Sequence, residues 1–143
     1  AETVIAAGGE LWLDGGHNPQ AGRALASTMS ALETRAPRPL IMIMGILANK
    51  DVGGFLDSFQ GLASGIIAID IPDHASLAPE TLLEVARARG LRGQTADTIE
   101  DALKMALEMG QAERKDENDQ PPRILICGSL YLAGEVLRVN SAE

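Results

Sequence analysis

Apolar residues fall along this chain in short blocks separated by longer stretches of mixed character. Leu11-Trp12-Leu13, Leu40-Ile41-Met42-Ile43-Met44, Ile66-Ile67-Ala68-Ile69 and Ile124-Leu125-Ile126-Cys127 are continuous and brief. Runs of this kind with little alternation predict strands buried on both faces, as in a parallel sheet. A weaker strand is expected around Gln94-Thr95-Ala96. Between the strands the spacing becomes helical. Ala21, Leu25, Thr28 and Leu32 fall on one helical face, with Asn18 as N-cap and Pro19 in the first turn. A second helix is expected over Val52–Gln60, weakened at its start by Gly53-Gly54, and a third over Pro79–Arg89, ended by Gly90. A fourth begins near Thr98 with Ile99, Ala102, Leu103, Ala106 and Leu107 inward. The last begins near Ser129 with Leu130, Ala133, Val136 and Leu137 inward.

Strands alternating with helices imply βαβ units. The expected fold is therefore α/β: a Rossmann-like three-layer domain with a mostly parallel sheet. Gly8-Gly9, between Thr3–Ala6 and Leu11–Leu13, reads as a hairpin turn that adds one antiparallel edge strand. Gln111–Pro122 is polar, ends in Pro121-Pro122 and reads as a surface loop. The 143 residues form a single domain, 1–143, large enough for an aliphatic core at 45% hydrophobic and 3% aromatic residues.

Charge and length narrow the function. The net charge of −8 argues against nucleic acid, which needs a clustered basic surface. Eight acids against three bases between residues 97 and 120 read as a solvated helix face and loop. The longest apolar block, Leu40–Ala48, is nine residues, about half a membrane span, so no membrane partner is expected. No secretory leader opens the chain, and one cysteine fits a reducing compartment, so the expected location is the cytoplasm.

Ligands of open α/β sheets gather at the carboxyl ends of the strands. Asp14-Gly15-Gly16-His17-Asn18-Pro19 follows the first core strand, Gly45 to Asp51 the second, and Gly128-Ser129-Leu130-Tyr131 the last. Asp14 suits the diol of a ribose, or else accepts from its own loop amides. His17 suits a phosphate or carboxylate, or is an ordinary loop histidine. Lys50, one of three lysines, is either an anion ligand or a surface ammonium. Ser129 reads as a helix cap, a position compatible with an anion site. His74 reads as structural or exposed, and Cys127 as a core thiol. Nothing has zinc-ligand spacing, and no Gly-x4-Gly-Lys-Ser/Thr phosphate loop occurs.

Taken together, the three loops resemble the C-terminal domain of the folylpolyglutamate synthase and dihydrofolate synthase family, within the Mur ligase superfamily. That family carries Leu-Asp-Gly-Ala-His-Asn-Pro, matched by Leu13–Pro19, and Gly-x-Leu-x-Asp-Lys-Asp, matched by Gly45–Asp51. It ends with Gly-Ser-Leu-Tyr and a helix, matched from Gly128 to Val136. Gly16 stands in place of an alanine, which is expected only to loosen the turn. Asn49 stands in place of an aspartate, which removes a charge beside Lys50. The Asp-Tyr-Ala-His and Gly-Lys-Gly-His-Glu motifs of the cell-wall ligases are absent.

The resemblance implies an ATP-dependent ligase that adds L-glutamate to folate or dihydropteroate through an acyl phosphate. ATP and Mg2+ are held mainly by a central P-loop domain, over which this domain closes. Asp14 resembles the ribose-binding aspartate, and His17 the catalytic-site histidine near nucleotide and glutamate. Lys50 and Ser129 match positions that hold glutamate carboxylates, with His17 beside them. The chain opens on Ala and lacks the central domain, so it is expected to be a piece of a longer cytoplasmic ligase, inactive alone. The rival readings are a free-standing Rossmann-like binding module and the C-terminal domain of a cell-wall Mur ligase.

Overall fold

Three of the four apolar blocks become strands buried on both faces, whereas Leu11–Leu13 forms an edge strand whose Trp12 and Leu13 side chains stay exposed. In the computed structural model, which describes residues 9–72, 74–112, 120–129, 132 and 134, strands β2 (Leu40–Met44), β3 (Gly65–Ile69) and β5 (Arg123–Cys127) are buried throughout. Successive residues serve opposite layers. Met42, Met44, Ile66, Ala68, Leu125 and Cys127 pack on one side of the sheet. Ile41, Ile43, Ile67, Ile69, Ile124 and Ile126 pack on the other. Two apolar faces on one strand leave no polar position apart from Arg123 at the start of β5, which is why the sequence shows no alternation.

Strands β1 (Glu10–Leu13) and β4 (Arg92–Ala96) complete a five-stranded sheet of order β1-β5-β2-β3-β4. Every pairing in it is parallel. β4 is an edge strand with partly exposed side chains, which explains its faint apolar signal. The antiparallel edge strand expected at Thr3–Ala6 lies outside the described residues.

Helix α1 (Pro19–Arg35) starts as the sequence predicts: the Asn18 side chain accepts from the Ala21 amide at 2.8 Å, and Pro19 follows. Its buried stripe is Gly22, Leu25, Ala26 and Met29, a rotation away from the expected face, with Thr28 exposed. The close approach of α1 to α2 (Val52–Asp57) turns it, since Gly22 lies against the Phe55 backbone. Helix α2 is shorter than the expected 52–60: it gives way to turns before Gly61, although Phe59 stays buried and stacked on Phe55.

Helix α3 (Pro79–Arg87) ends in a turn at Gly90, whose φ is +79°. Helix α4 (Ile99–Ala112) is capped by Thr98, whose hydroxyl accepts from the Asp101 amide at 3.1 Å. It buries all five expected inward residues and includes Gln111 and Ala112, placed in the loop by sequence. Of the last helix, Leu132 and Gly134 are described, and Leu132 is fully buried. Leu130, Ala133, Val136 and Leu137 lie outside the described residues.

Helices α1, α2 and α3 cover one face of the sheet, while α4 and Leu132 cover the other. After α4 the chain returns through β5 into the gap between β1 and β2. Chains therefore leave β5 toward one layer and leave its two neighbours toward the other. Such a switch point opens a crevice at the carboxyl ends of the strands.

Candidate functional site

The crevice is built by the loops that follow β1, β5 and β2, three adjacent strands. The Asp14 amide donates to the Ile126 carbonyl at 2.9 Å, continuing the β1–β5 ladder to the edge of the sheet. The chain then turns because the Asp14 carboxylate accepts from the Gly16 amide at 2.7 Å. Asp14 thus fulfils the local role that the sequence left open. A carboxylate has further lone pairs, so this bond leaves acceptor capacity for a hydroxyl. Gly16 is a tight position rather than a loosened one. A Cβ there would lie 2.8 Å from the Ala21 Cβ and 2.9 Å from the Asp14 carboxylate.

His17 is half-buried, with Nδ1 3.2 Å from the Gly15 carbonyl. That contact is a hydrogen bond when Nδ1 carries the proton, which orients Nε2 as the ring atom available for a ligand. Asn18 serves as the α1 cap.

Backbone bonds join this loop to its neighbours. The Gly128 amide donates to the Gly16 carbonyl at 3.0 Å, tying the end of β5 to the Asp14 turn. Gly128 has φ +98°, a conformation that side chains disfavour, and a Cβ there would collide with the Gly45 carbonyl at the end of β2. The three loops therefore converge on Gly128. Ser129 follows, 4% exposed, and its hydroxyl accepts from the Leu132 amide at 3.4 Å, the geometry of a cap. Leu130 and Tyr131 lie outside the described residues.

Lys50 is half-buried in the loop after β2; its amide donates to the Leu47 carbonyl at 3.2 Å. Asp51 then caps α2 by accepting from the Gly54 amide at 3.0 Å. Cys127, directly before Gly128, is fully buried. Burial, and secondarily the nearby Asp14 charge, push its thiol far up, so it stays protonated in the core.

A cavity of about 370 Å³ lies against the site between β1 and α1, lined by Trp12, Asp14, Ala21, Ala24 and Thr28 among others. A second of about 380 Å³ lies between β4 and α4, lined by Arg92, Gln94, Met105 and Glu108 among others. It occupies the opposite edge of the sheet, away from the converging loops. Among the described residues, no group of three or more His, Cys, Asp or Glu is placed to hold a metal ion. No described helix is long and apolar enough to cross a membrane.

A buried charge network was not anticipated. Arg123, the first residue of β5, is 1% exposed and donates to Glu10 at 2.7 Å and to the Ala36 carbonyl at 2.9 Å. Glu10 also lies 3.7 Å from Arg38. Burial pushes the Glu10 carboxyl up, but hydrogen bonds from Arg123 and Trp12 and the charges of both arginines outweigh it. They hold the group below its ordinary value. The network joins the amino ends of β1 and β5, opposite the site. The only sequence signal is an opposite charge at the first position of each strand.

The molecule matches known proteins along almost its whole length. The family model described as "Dihydrofolate synthetase, C-terminal domain" matches residues 2–139. Folylpolyglutamate synthase of Lacticaseibacillus casei is 32% identical over 124 residues, which are 87% of this chain and 25% of that protein. A probable dihydrofolate synthetase of Schizosaccharomyces pombe is 25% identical over 139 residues, 91% of this chain and 31% of that protein. The chain thus spans between a quarter and a third of these relatives. Among solved structures, folylpolyglutamate synthase of Mycobacterium tuberculosis complexed with ADP and AMPPCP superposes with a TM-score of 0.78 at 26% identity. The match covers 90% of this chain and 29% of that one. E. coli FolC in complex with DHPP and ADP shares the fold, with a TM-score of 0.72 at 24% identity over 90% of this chain and 28% of that one. Converging loops, parallel sheet and sequence match agree, and the chain belongs to the dihydrofolate synthetase C-terminal domain family.

Proposed function

We propose that this chain is the C-terminal domain of an ATP-dependent ligase that adds glutamate to folate or dihydropteroate. It closes over the nucleotide and positions the incoming amino acid. What supports this reading is the convergence of the three family-matching loops on Gly128, since these loops are the ones that carry Asp14, His17, Lys50 and Ser129.

The division of labour follows from the side chains. Asp14, already bound to one amide, offers its remaining lone pairs to the ribose hydroxyls. Lys50 supplies an ammonium, and Ser129 a buried hydroxyl at a helix start, for the glutamate carboxylates. His17, oriented through Nδ1, presents Nε2 between the two. ATP supplies activation of the substrate carboxylate as an acyl phosphate, which glutamate's amine attacks. On this reading the phosphates and Mg2+ are held by a P-loop domain elsewhere in the full-length ligase. Holding glutamate and the activated carboxylate on separate domains makes closure part of the chemistry.

The test is to assay this 143-residue chain alone and within the full-length ligase. The full-length protein should ligate glutamate in an ATP-dependent reaction. The isolated chain should neither hydrolyse ATP nor ligate glutamate, because it lacks the groups that hold the phosphates. Robust ligation by the chain alone would overturn the assignment.

A further inference from the structure

The loop that carries Lys50 is held by a neighbour that has no place in the family motifs. Between the end of β2 and the start of α2, residues 45–51 need hydrogen-bond partners outside regular structure. Residues 75–77, in the loop between β3 and α3, provide them. The Leu77 amide donates to the Ile46 carbonyl at 2.8 Å, and the Ala48 amide donates to the Ala75 carbonyl at 3.0 Å. Leu47 and Ser76 form an isolated antiparallel bridge between these two bonds. The Lys50 amide then donates to the Leu47 carbonyl, so the lysine backbone hangs directly from the bridged residue.

Ser76 fastens this strap to the sheet. Its hydroxyl donates to the Asp70 carboxylate at 3.0 Å and accepts from the Ile71 amide at 3.3 Å. Asp70 and Ile71 follow β3 directly, and Ile71 is buried. A line of contacts thus runs from the end of β3 through the Ser76 hydroxyl to the bridge at Leu47 and on to Lys50.

We propose that Ser76 is a positioning residue for glutamate binding: its hydroxyl anchors the strap that sets the position of Lys50. This rests on the reading of Lys50 as a glutamate contact. Ser76 need not touch the substrate. Removing its hydroxyl leaves the backbone bridge and the backbone bonds from His74 to Ile71 and from Ser76 to His74 intact, but takes away the side-chain tie to the end of β3. Lys50 then loses a fixed base, and a charge-assisted hydrogen bond weakens steeply as its geometry drifts.

The experiment compares Ser76→Ala, Ser76→Thr, Asp70→Ala and Lys50→Ala in the full-length ligase by steady-state kinetics and thermal melting. Ser76→Ala removes two hydrogen bonds, one of them to an exposed carboxylate, but reaches Lys50 only through the strap, so it should raise the glutamate KM by about 3- to 10-fold. The ATP KM should not change, and the variant should still melt cooperatively, with at most a modest fall in midpoint. Ser76→Thr keeps the hydroxyl and should restore glutamate use to within about 2-fold of the parent enzyme. Asp70→Ala removes the hydroxyl's exposed partner and should raise the glutamate KM in the same direction, which decides the matter if Ser76→Ala does not fold. In a Lys50→Ala background, Ser76→Ala should add less than about 2-fold, because both changes act on one contact. The proposal is overturned if Lys50→Ala raises the glutamate KM while Ser76→Ala and Asp70→Ala leave it unchanged. It is also overturned if Ser76→Ala raises the ATP and glutamate KM values equally and threonine fails to restore them. A silent Lys50→Ala would instead remove the glutamate reading itself, and this inference with it.

Discussion

Gly128→Ala tests the junction on which the three loops converge. Two effects act on the added methyl. The backbone sits at φ +98°, and holding a non-glycine residue at positive φ costs about 1–2 kcal/mol. The new Cβ would also collide with the Gly45 carbonyl and lie 3.1 Å from the Met44 side chain. A carbonyl at a strand end, unlike a flexible side-chain tip, cannot move without moving the strand. Overpacking of this kind costs about 1–3 kcal/mol more, giving a total near 2–5 kcal/mol. Gly90→Ala is the matched control: its φ is +79°, and nothing lies within 4 Å of a Cβ built there. It should lose only the backbone part, about 1–2 kcal/mol. The gain from a stiffer unfolded chain is common to both variants and cancels in the difference. Urea unfolding of both variants, read at equal m-values, isolates the contact. A Gly128→Ala variant no less stable than Gly90→Ala would refute the close approach of the β5 and β2 loops.

The amino ends of the strands supply further predictions. Arg123→Ala removes the bonds to Glu10 and Ala36 and should destabilise the chain by about 3 kcal/mol in denaturant titration. The value sits at the low end for broken buried pairs because the Glu10 side chain keeps 35% exposure and stays hydrated. Glu10 has a lowered carboxyl pKa in the folded state, so the unfolded chain takes up its proton first as pH falls. Its stabilisation is complete above the ordinary value of 4.5 and is lost as pH drops from there through the lower folded value. Stability measured from pH 7 to pH 3 should therefore show a steeper acid limb in the parent chain than in Glu10→Gln; identical limbs would contradict the pairing.

Much of this architecture is legible in the sequence. The doubly buried strands announced themselves through unbroken apolar runs. Asn18-Pro19 marked the start of α1, and Gly90 the end of α3. What sequence could not reach were contacts between elements distant along the chain. The buried stripe of α1 was misplaced because its rotation is set by the Gly22 approach to Phe55 on a different helix. Nothing local marks Arg123, at the start of β5, as a buried charge. Only the β1–β5 pairing, 113 residues apart, brings Glu10 to it. At the site, the loops and their candidate residues could be read from position after each strand. That Gly128 joins them, and that Ser76 fastens the Lys50 loop from the end of β3, depends on the order β1-β5-β2-β3. No local pattern encodes that order.

The central claim is that one domain divides its crevice between nucleotide and glutamate, and crossed kinetics of two variants in the full-length ligase test it most directly. Lys50→Ala should lower kcat/KM for glutamate by about 10- to 150-fold, the loss of a charge-assisted hydrogen bond of about 1.5–3 kcal/mol. It should leave the ATP KM unchanged. Asp14→Ala should do the converse, raising the ATP KM, or lowering kcat where the contact forms on closure, without a selective effect on glutamate. Thermal melts identify any loss of the Asp14–Gly16 turn as a folding effect. If both variants fold and Lys50→Ala alters neither kcat nor the KM for glutamate, Lys50 is a surface lysine and the account of the site is wrong.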